Sequence, residues 1–99
     1  MTRDAIDELN NIRDYYLLHF SVESAEKVIK AIQRRIAQLS DFPNSGSNPP
    51  SDWLSSHGYK MVISGKYAAL YHLYGHEVYI FAIVNTQQDY PKLFEKRTE

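Results

Sequence analysis

Residues 21–46 read "SVESAEKVIKAIQRRIAQLSDFPNSG", and the placement of their apolar letters decides the fold class. Ala25, Val28, Ile29, Ile32, Ile36 and Leu39 recur at intervals of three and four, the stripe of an amphipathic helix. Lys27, Lys30, Arg34 and Arg35 fall off that stripe and read as a solvated face, which could also meet an acidic partner segment. Ser21 stands where an N-cap belongs, since its hydroxyl can accept from a first-turn N–H, and Glu23 suits the positive end of the helix dipole. Pro43 has no N–H with which to continue the helix, and Gly46, Pro49 and Pro50 mark an irregular loop. The pattern predicts a helix over 22–40. Its stripe needs a cover.

Upstream, Ala5, Leu9, Ile12 and Tyr16 give a second stripe and predict a helix over 3–18. The joint "HFSVES" is short, so the two one-sided helices form an antiparallel hairpin. Downstream, Trp53 and Leu54 sit in a segment of about one helical turn by its length. Three strand-like runs follow: Tyr59–Ser64, Tyr67–Leu73 and Glu77–Val84. Gly65-Lys66 and Tyr74-Gly75-His76 separate them, both of hairpin length and both with a glycine. Tyr67, Ala69, Tyr71 and Leu73 share one face of the middle strand, with Ala68, Leu70 and His72 on the other. Beyond Ile80 both faces of the last strand are apolar, which calls for a bulge near Phe81-Ala82 or a cover on both sides. The expectation is an α+β fold in which the helical hairpin lies on one face of a three-stranded antiparallel sheet.

A chain of 99 residues, 43% hydrophobic, suits one domain spanning 1–99 with a single packed core. The absence of cysteine removes disulfides and thiolate metal sites, in keeping with a reducing cytoplasm. Arg3, Asp4, Asp7 and Glu8 break up any leader-like apolar stretch, and the longest apolar run, Val78–Val84, is too short to span a bilayer. These features predict a soluble, cytoplasmic protein without a membrane anchor. A net charge of −1 argues against strong nonspecific binding to nucleic acid, which needs a basic excess.

Taken together, "A..EL..I..YY", "S.ESA..VI..I...I..L..FP..G", "GYK..ISGKY..LY.L.G..VYI..I" and a short polar tail ending in "DY" resemble the RelE/ParE superfamily of bacterial toxins. The resemblance runs from Ala5 to Leu93 and lies in the combination of pieces. Its strongest parts are Leu39, Phe42, Pro43 and Gly46, and Gly65, Lys66, Tyr67 and Tyr71. It implies the toxin half of a type II toxin–antitoxin module, of the kind associated with plasmid stabilisation, held in check by a cognate antitoxin. It also implies a β-strand ahead of the first helix, whereas here Met1 stands almost at that helix. A missing strand would expose backbone donors and acceptors on its neighbour.

Two mechanisms follow from the resemblance. RelE-like members are ribosome-dependent mRNA endoribonucleases, and ParE-like members poison DNA gyrase by surface contact. RNA cleavage needs a base for the 2′-hydroxyl, a cation for the phosphate and an acid for the leaving group. Cleaving members carry arginines, and often a histidine, near the end of the last strand, where this chain has Asn85, Thr86, Gln87 and Gln88. The catalytic candidates that remain are Lys60, Lys66, Asp89 and Tyr90, with Lys92 nearby. Each has a plain structural reading as well: solvated lysines beside a turn, an aspartate opening a C-terminal turn, a packing tyrosine. His19, His57, His72 and His76 lie in separate segments and lack the i, i+4 spacing of a metal-binding helix. No metal or cofactor is expected. The missing arginines favour a binding toxin over a nuclease, and a degenerate toxin that keeps only its antitoxin surface is a third reading. A homodimer is compatible with all three.

Overall fold

The computed structural model describes residues 1–98. Helix α1 spans Arg3–His19 and helix α2 Val22–Ala37, the latter continued by a 3-10 turn, Gln38–Ser40. Thr2 caps α1 by accepting from the Ala5 N–H, and Ser21 caps α2 by accepting from the Ser24 N–H at 3.0 Å. Helix α3, Asp52–Ser56, is the single turn expected at Trp53-Leu54. Strands β1 (Lys60–Ser64), β2 (Tyr67–Tyr74) and β3 (Glu77–Asn85) follow, and helix α4, Tyr90–Thr98, closes the described chain. No strand precedes α1 among the described residues.

The sheet is an antiparallel meander in the order β1-β2-β3. Gly65 and Gly75 take φ of +59° and +65°, the left-handed conformation that two-residue hairpin turns require and a Cβ resists. Leu70 pairs with Ala82 and Tyr71 with Ile80, so Phe81 is an extra residue on β3 and forms the expected bulge. The alternation on β2 is also as expected. Tyr67, Ala69 and Tyr71 join Ala5, Leu9, Ile29, Ile32 and Leu39 in the core beneath the hairpin, with Ile12, Val28 and Ile36 packed against it.

The other face carries a further helix, the cover on both sides that the apolar end of the last strand left open. Tyr90 and Phe94 are four residues apart and therefore fall on one side of α4. There they pack with Leu54 of α3 onto Met61, Ala68, Leu70 and Ala82, making a second core. The apolar residues on both faces of β3 thus have both a bulge and a double cover. The polar letters of residues 85–89 concealed this helix because they form only the turn that leads into it.

Both sheet edges are partly capped. At β1, Ser47 and Met61 exchange backbone hydrogen bonds of 2.9 Å each, and Arg35 Nε donates to the Ile63 carbonyl at 3.2 Å. At β3, the Thr2 N–H donates to the Ile80 carbonyl at 2.9 Å and the Thr2 hydroxyl to the Phe81 carbonyl at 3.1 Å. Further along, Glu8 Oε1 accepts from the Ile83 N–H at 3.1 Å. A side chain from α1 thereby takes the position that a neighbouring strand's carbonyl would fill.

Candidate partner-binding site

The turn joining β1 to β2 presents Lys66, and its position is held from the end of β3. The Lys66 carbonyl accepts from both the Thr86 N–H and the Thr86 hydroxyl, each at 2.8 Å. The Lys66 ammonium then lies 5.8 Å from the ring centroid of Tyr16 and 5.7 Å from that of Tyr67, within cation–π range of both. Burial raises the Tyr67 phenol pKa, and the neighbouring Tyr16 hydroxyl raises it further, so Tyr67 stays neutral.

Three hollows surround this turn and the end of β3. The largest, about 430 Å³, lies between α1 and the sheet and is lined by Glu8, Asn11, Tyr15, Lys66, Ile83 and Asn85 among others. A second, about 140 Å³, lies on the α4 side of the same strand end, against Val84, Tyr90, Leu93 and Phe94. A third, about 290 Å³, opens between Tyr16, Lys27, Val28 and the Gly65-Lys66 turn. Lys66 borders the first and third.

The four candidate catalytic residues do not line one hollow: Lys66 borders the first and third, Tyr90 the second, and Lys60 and Asp89 none of the three. Lys60 starts β1 opposite Tyr71, whereas Lys66 lies past the other end of the same strand. Asp89 is exposed immediately before α4, where its carbonyl accepts from the Leu93 N–H at 3.3 Å. Tyr90 is only 6% exposed, its hydroxyl lies 3.6 Å from the Met61 sulfur, and burial raises its pKa. It packs in the second core and also borders the 140 Å³ hollow.

The stretch from Asn85 to Gln88 has structural work of its own. Asn85 Oδ1 accepts from the Gln87 N–H at 2.9 Å, closing an Asx turn, and the Gln88 N–H returns to the Asn85 carbonyl at 3.1 Å. Thr86 clamps the Lys66 turn. The histidines are dispersed: His57 stacks on Trp53 with centroids 4.0 Å apart, and His72 lies against Tyr59 at 3.9 Å. His19 sits at the hairpin tip against Tyr15, and His76 is exposed in the β2–β3 turn.

Sequence reasoning missed Glu8, Asn11 and Tyr15 as site residues because, on a helix read alone, they are ordinary members of a polar face. Only packing α1 beside β3 turns that face toward a strand edge. It also missed the link between the two strongest parts of the resemblance. The Tyr71 hydroxyl donates to the Pro43 carbonyl and accepts from the Gly46 N–H, both at 3.1 Å. The fully buried tyrosine of "GKY...Y" therefore pins the loop that carries "FP..G".

The hairpin tip carries a further exposed apolar group. Leu18 is 81% exposed, Phe20 63% and Val22 65%. Among the described residues no helix is long and apolar enough to cross a membrane.

Among curated proteins nothing matches. Among solved structures, the chain is similar to one described as the chromosomal ParDE toxin–antitoxin system from P. aeruginosa. The similarity has a TM-score of 0.71 at 26% identity and covers 85% of this chain and 89% of that one. The family described as the ParE toxin of the type II toxin–antitoxin system parDE matches residues 1–90. With nine-tenths of its length matched, and with the hairpin-on-sheet fold in place, the chain belongs to the ParE toxin family of type II toxin–antitoxin systems.

Proposed function

We propose that this toxin acts by binding its target, as a ParE-like poison of DNA gyrase, and that a cognate antitoxin neutralises it by covering the contact surface. The observation that carries the mechanism is the dispersal of the groups a nuclease would need. General acid–base catalysis requires groups within hydrogen-bond reach of one reacting centre. Lys60 and Lys66 lie toward opposite ends of β1, and the Tyr90 hydroxyl is enclosed beside Met61. The amides that follow β3 can hydrogen-bond a phosphate but cannot neutralise it. The exposed apolar tip at Leu18, Phe20 and Val22 supports a contact mechanism and gives an antitoxin something to cover.

The test is induced expression in bacterial cells, followed by two measurements on the same culture. A gyrase poison produces broken DNA and an SOS response while mRNA remains intact. Primer extension on ribosome-bound mRNA provides the opposing reading. A-site cuts that vanish in a Lys60→Ala, Lys66→Ala double variant would overturn the proposal in favour of an endoribonuclease. Growth unaffected by the folded protein would mark a degenerate toxin. Co-expression with the product of the adjoining gene should restore growth and raise the melting temperature of the copurified toxin, as expected when a ligand binds only the folded state.

A further inference from the structure

We infer that the hollow between the helical hairpin and the β1–β2 turn is a binding site for a small aromatic carboxylate, its ring against Tyr16 and Tyr67 and its charge between Lys27 and Lys66. The cellular target and the antitoxin enter neither the geometry of this site nor its test.

Three segments wall this hollow of about 290 Å³: Tyr16 from α1, Lys27, Val28 and Ala31 from α2, and Lys66 and Tyr67 at the start of β2. The aromatic wall is held in place by its own packing. Tyr67 is only 7% exposed, and the Tyr16 ring stacks on Phe20 at 5.3 Å and meets Tyr67 edge-on at 6.5 Å. Gly65 turns the chain in the left-handed conformation, and Thr86 fixes Lys66 through its carbonyl. Groups already held in this way lose little further freedom when a ligand binds.

The charge of the lining is of one sign. Among the described residues no acidic side chain lines this hollow, and neither Lys27 nor Lys66 is in an ion pair. Glu23, one helical turn before Lys27, lies outside the lining, and Glu8 borders the neighbouring hollow instead. Lys66 is half-buried, and the two tyrosine rings at 5.7 and 5.8 Å hold its ammonium without neutralising it. Burial keeps the Tyr67 phenol neutral, so no phenolate competes for the lysines. The volume sets the size of the ligand: about 290 Å³ is about twice the roughly 150 Å³ that holds benzene in an apolar cavity, so a two-ring body fits. Val28 and Ala31 give that body apolar contact, and Tyr16 and Tyr67 give it rings to meet face or edge. Among the described residues no arginine lines the hollow, so the planar two-bond grip that favours phosphate is missing, and a single carboxylate is the matching anion.

The experiment titrates 2-naphthoate into the full chain, isotopically labelled for NMR. The amides of Ala31, Gly65 and Lys66 should shift together, with a Kd of roughly 0.1–1 mM, as expected of a fragment of this size in an open site. Naphthamide, the same body without the charge, should bind roughly two- to tenfold more weakly. Acetate, the charge without the body, should leave those amides unshifted. Lys27→Gln and Lys66→Gln should each weaken naphthoate binding roughly two- to fivefold, and the loss should shrink as salt is added. Ala31 is exposed on α2, so Ala31→Phe can fill the hollow without touching the core. That variant should keep the wild-type Tm and lose naphthoate binding. Unshifted amides at millimolar naphthoate would overturn the inference, as would equal binding of naphthamide or undiminished binding by Ala31→Phe. Tighter binding of naphthyl phosphate would overturn the choice of carboxylate. Concentration-dependent shifts of the same amides in ligand-free protein would overturn the site itself, in favour of a contact between two copies of the chain.

Discussion

Replacing Gly46 with alanine is the sharpest probe of how the loop and sheet are joined. The backbone of Gly46 is not in the left-handed region, so the cost is steric rather than conformational. An added Cβ would lie 2.8 Å from both Cε1 and Cζ of Tyr71, and closer still to the hydroxyl. Comfortable carbon–carbon contact begins near 3.5 Å. A phenol can often swing away, but Tyr71 is 0% exposed and its hydroxyl is held by Pro43 and Gly46 at 3.1 Å each. Overpacking of this kind costs about 1–3 kcal/mol. Displacing the ring also breaks two hydrogen bonds, each worth about 0.5–1.5 kcal/mol net. Gly46→Ala should therefore destabilise the fold by about 2–5 kcal/mol, a fall of roughly 8 °C or more in Tm for a domain of this size. Urea denaturation followed by far-UV circular dichroism measures it. Tyr71→Phe removes the closest clashing atom but leaves the ring contacts, so alanine at position 46 should cost less in that background. The two substitutions should couple by more than about 0.5 kcal/mol. Stability of Gly46→Ala within about 0.5 kcal/mol of wild type, or strict additivity with Tyr71→Phe, would refute the reasoning.

Ile32, 3% exposed at the centre of the hairpin core, should cost about 2–5 kcal/mol on replacement by alanine, measured by the same denaturation. Burial lowers the pKa of His72 below the ordinary 6.5, opposed more weakly by the His57 backbone, and its Nε2 has no hydrogen-bond partner among the described residues. The rings of Tyr59, Tyr74 and Phe81 surround it. The folded state thus prefers the neutral ring, so this stability is complete above pH 6.5 and is lost progressively as pH falls through the lowered folded value. Thermal melts across that range should show the slope, and His72→Phe should flatten it. Tyr90→Phe removes a hydroxyl whose contact is a sulfur atom, so stability should change by less than about 1 kcal/mol and growth arrest should persist. A large loss of toxicity in the folded variant would return Tyr90 to a direct functional role. Lys60→Ala should leave toxicity unchanged if target contact does not involve that end of β1, as a plate assay would report.

The helical hairpin, the three strands, both glycine turns and the bulge at Phe81 were legible in the sequence, because each depends on local spacing. A stripe at three and four, an alternation of two and a glycine between strands act within a few residues, and local physics specifies them. Ser21 could be read as a cap for the same reason. What the sequence could not determine is which local faces meet. Tyr90 and Phe94 look like the end of a polar tail until Met61, Leu70 and Ala82 offer them a surface, and then they form one side of a helix and part of a second core. Glu8 is one acidic residue among several on α1 until packing brings it to the Ile83 N–H across 75 positions of chain. Gly46 reads as a loop breaker, and its partner Tyr71 as a strand residue, yet the close approach of the two holds the loop to the sheet. Lys60 and Lys66 are near in sequence and share a hairpin, but a short extended strand separates them. Long-range approach, not residue type, decided which polar groups face a common space, because side chains at a site converge only after the apolar faces have paired.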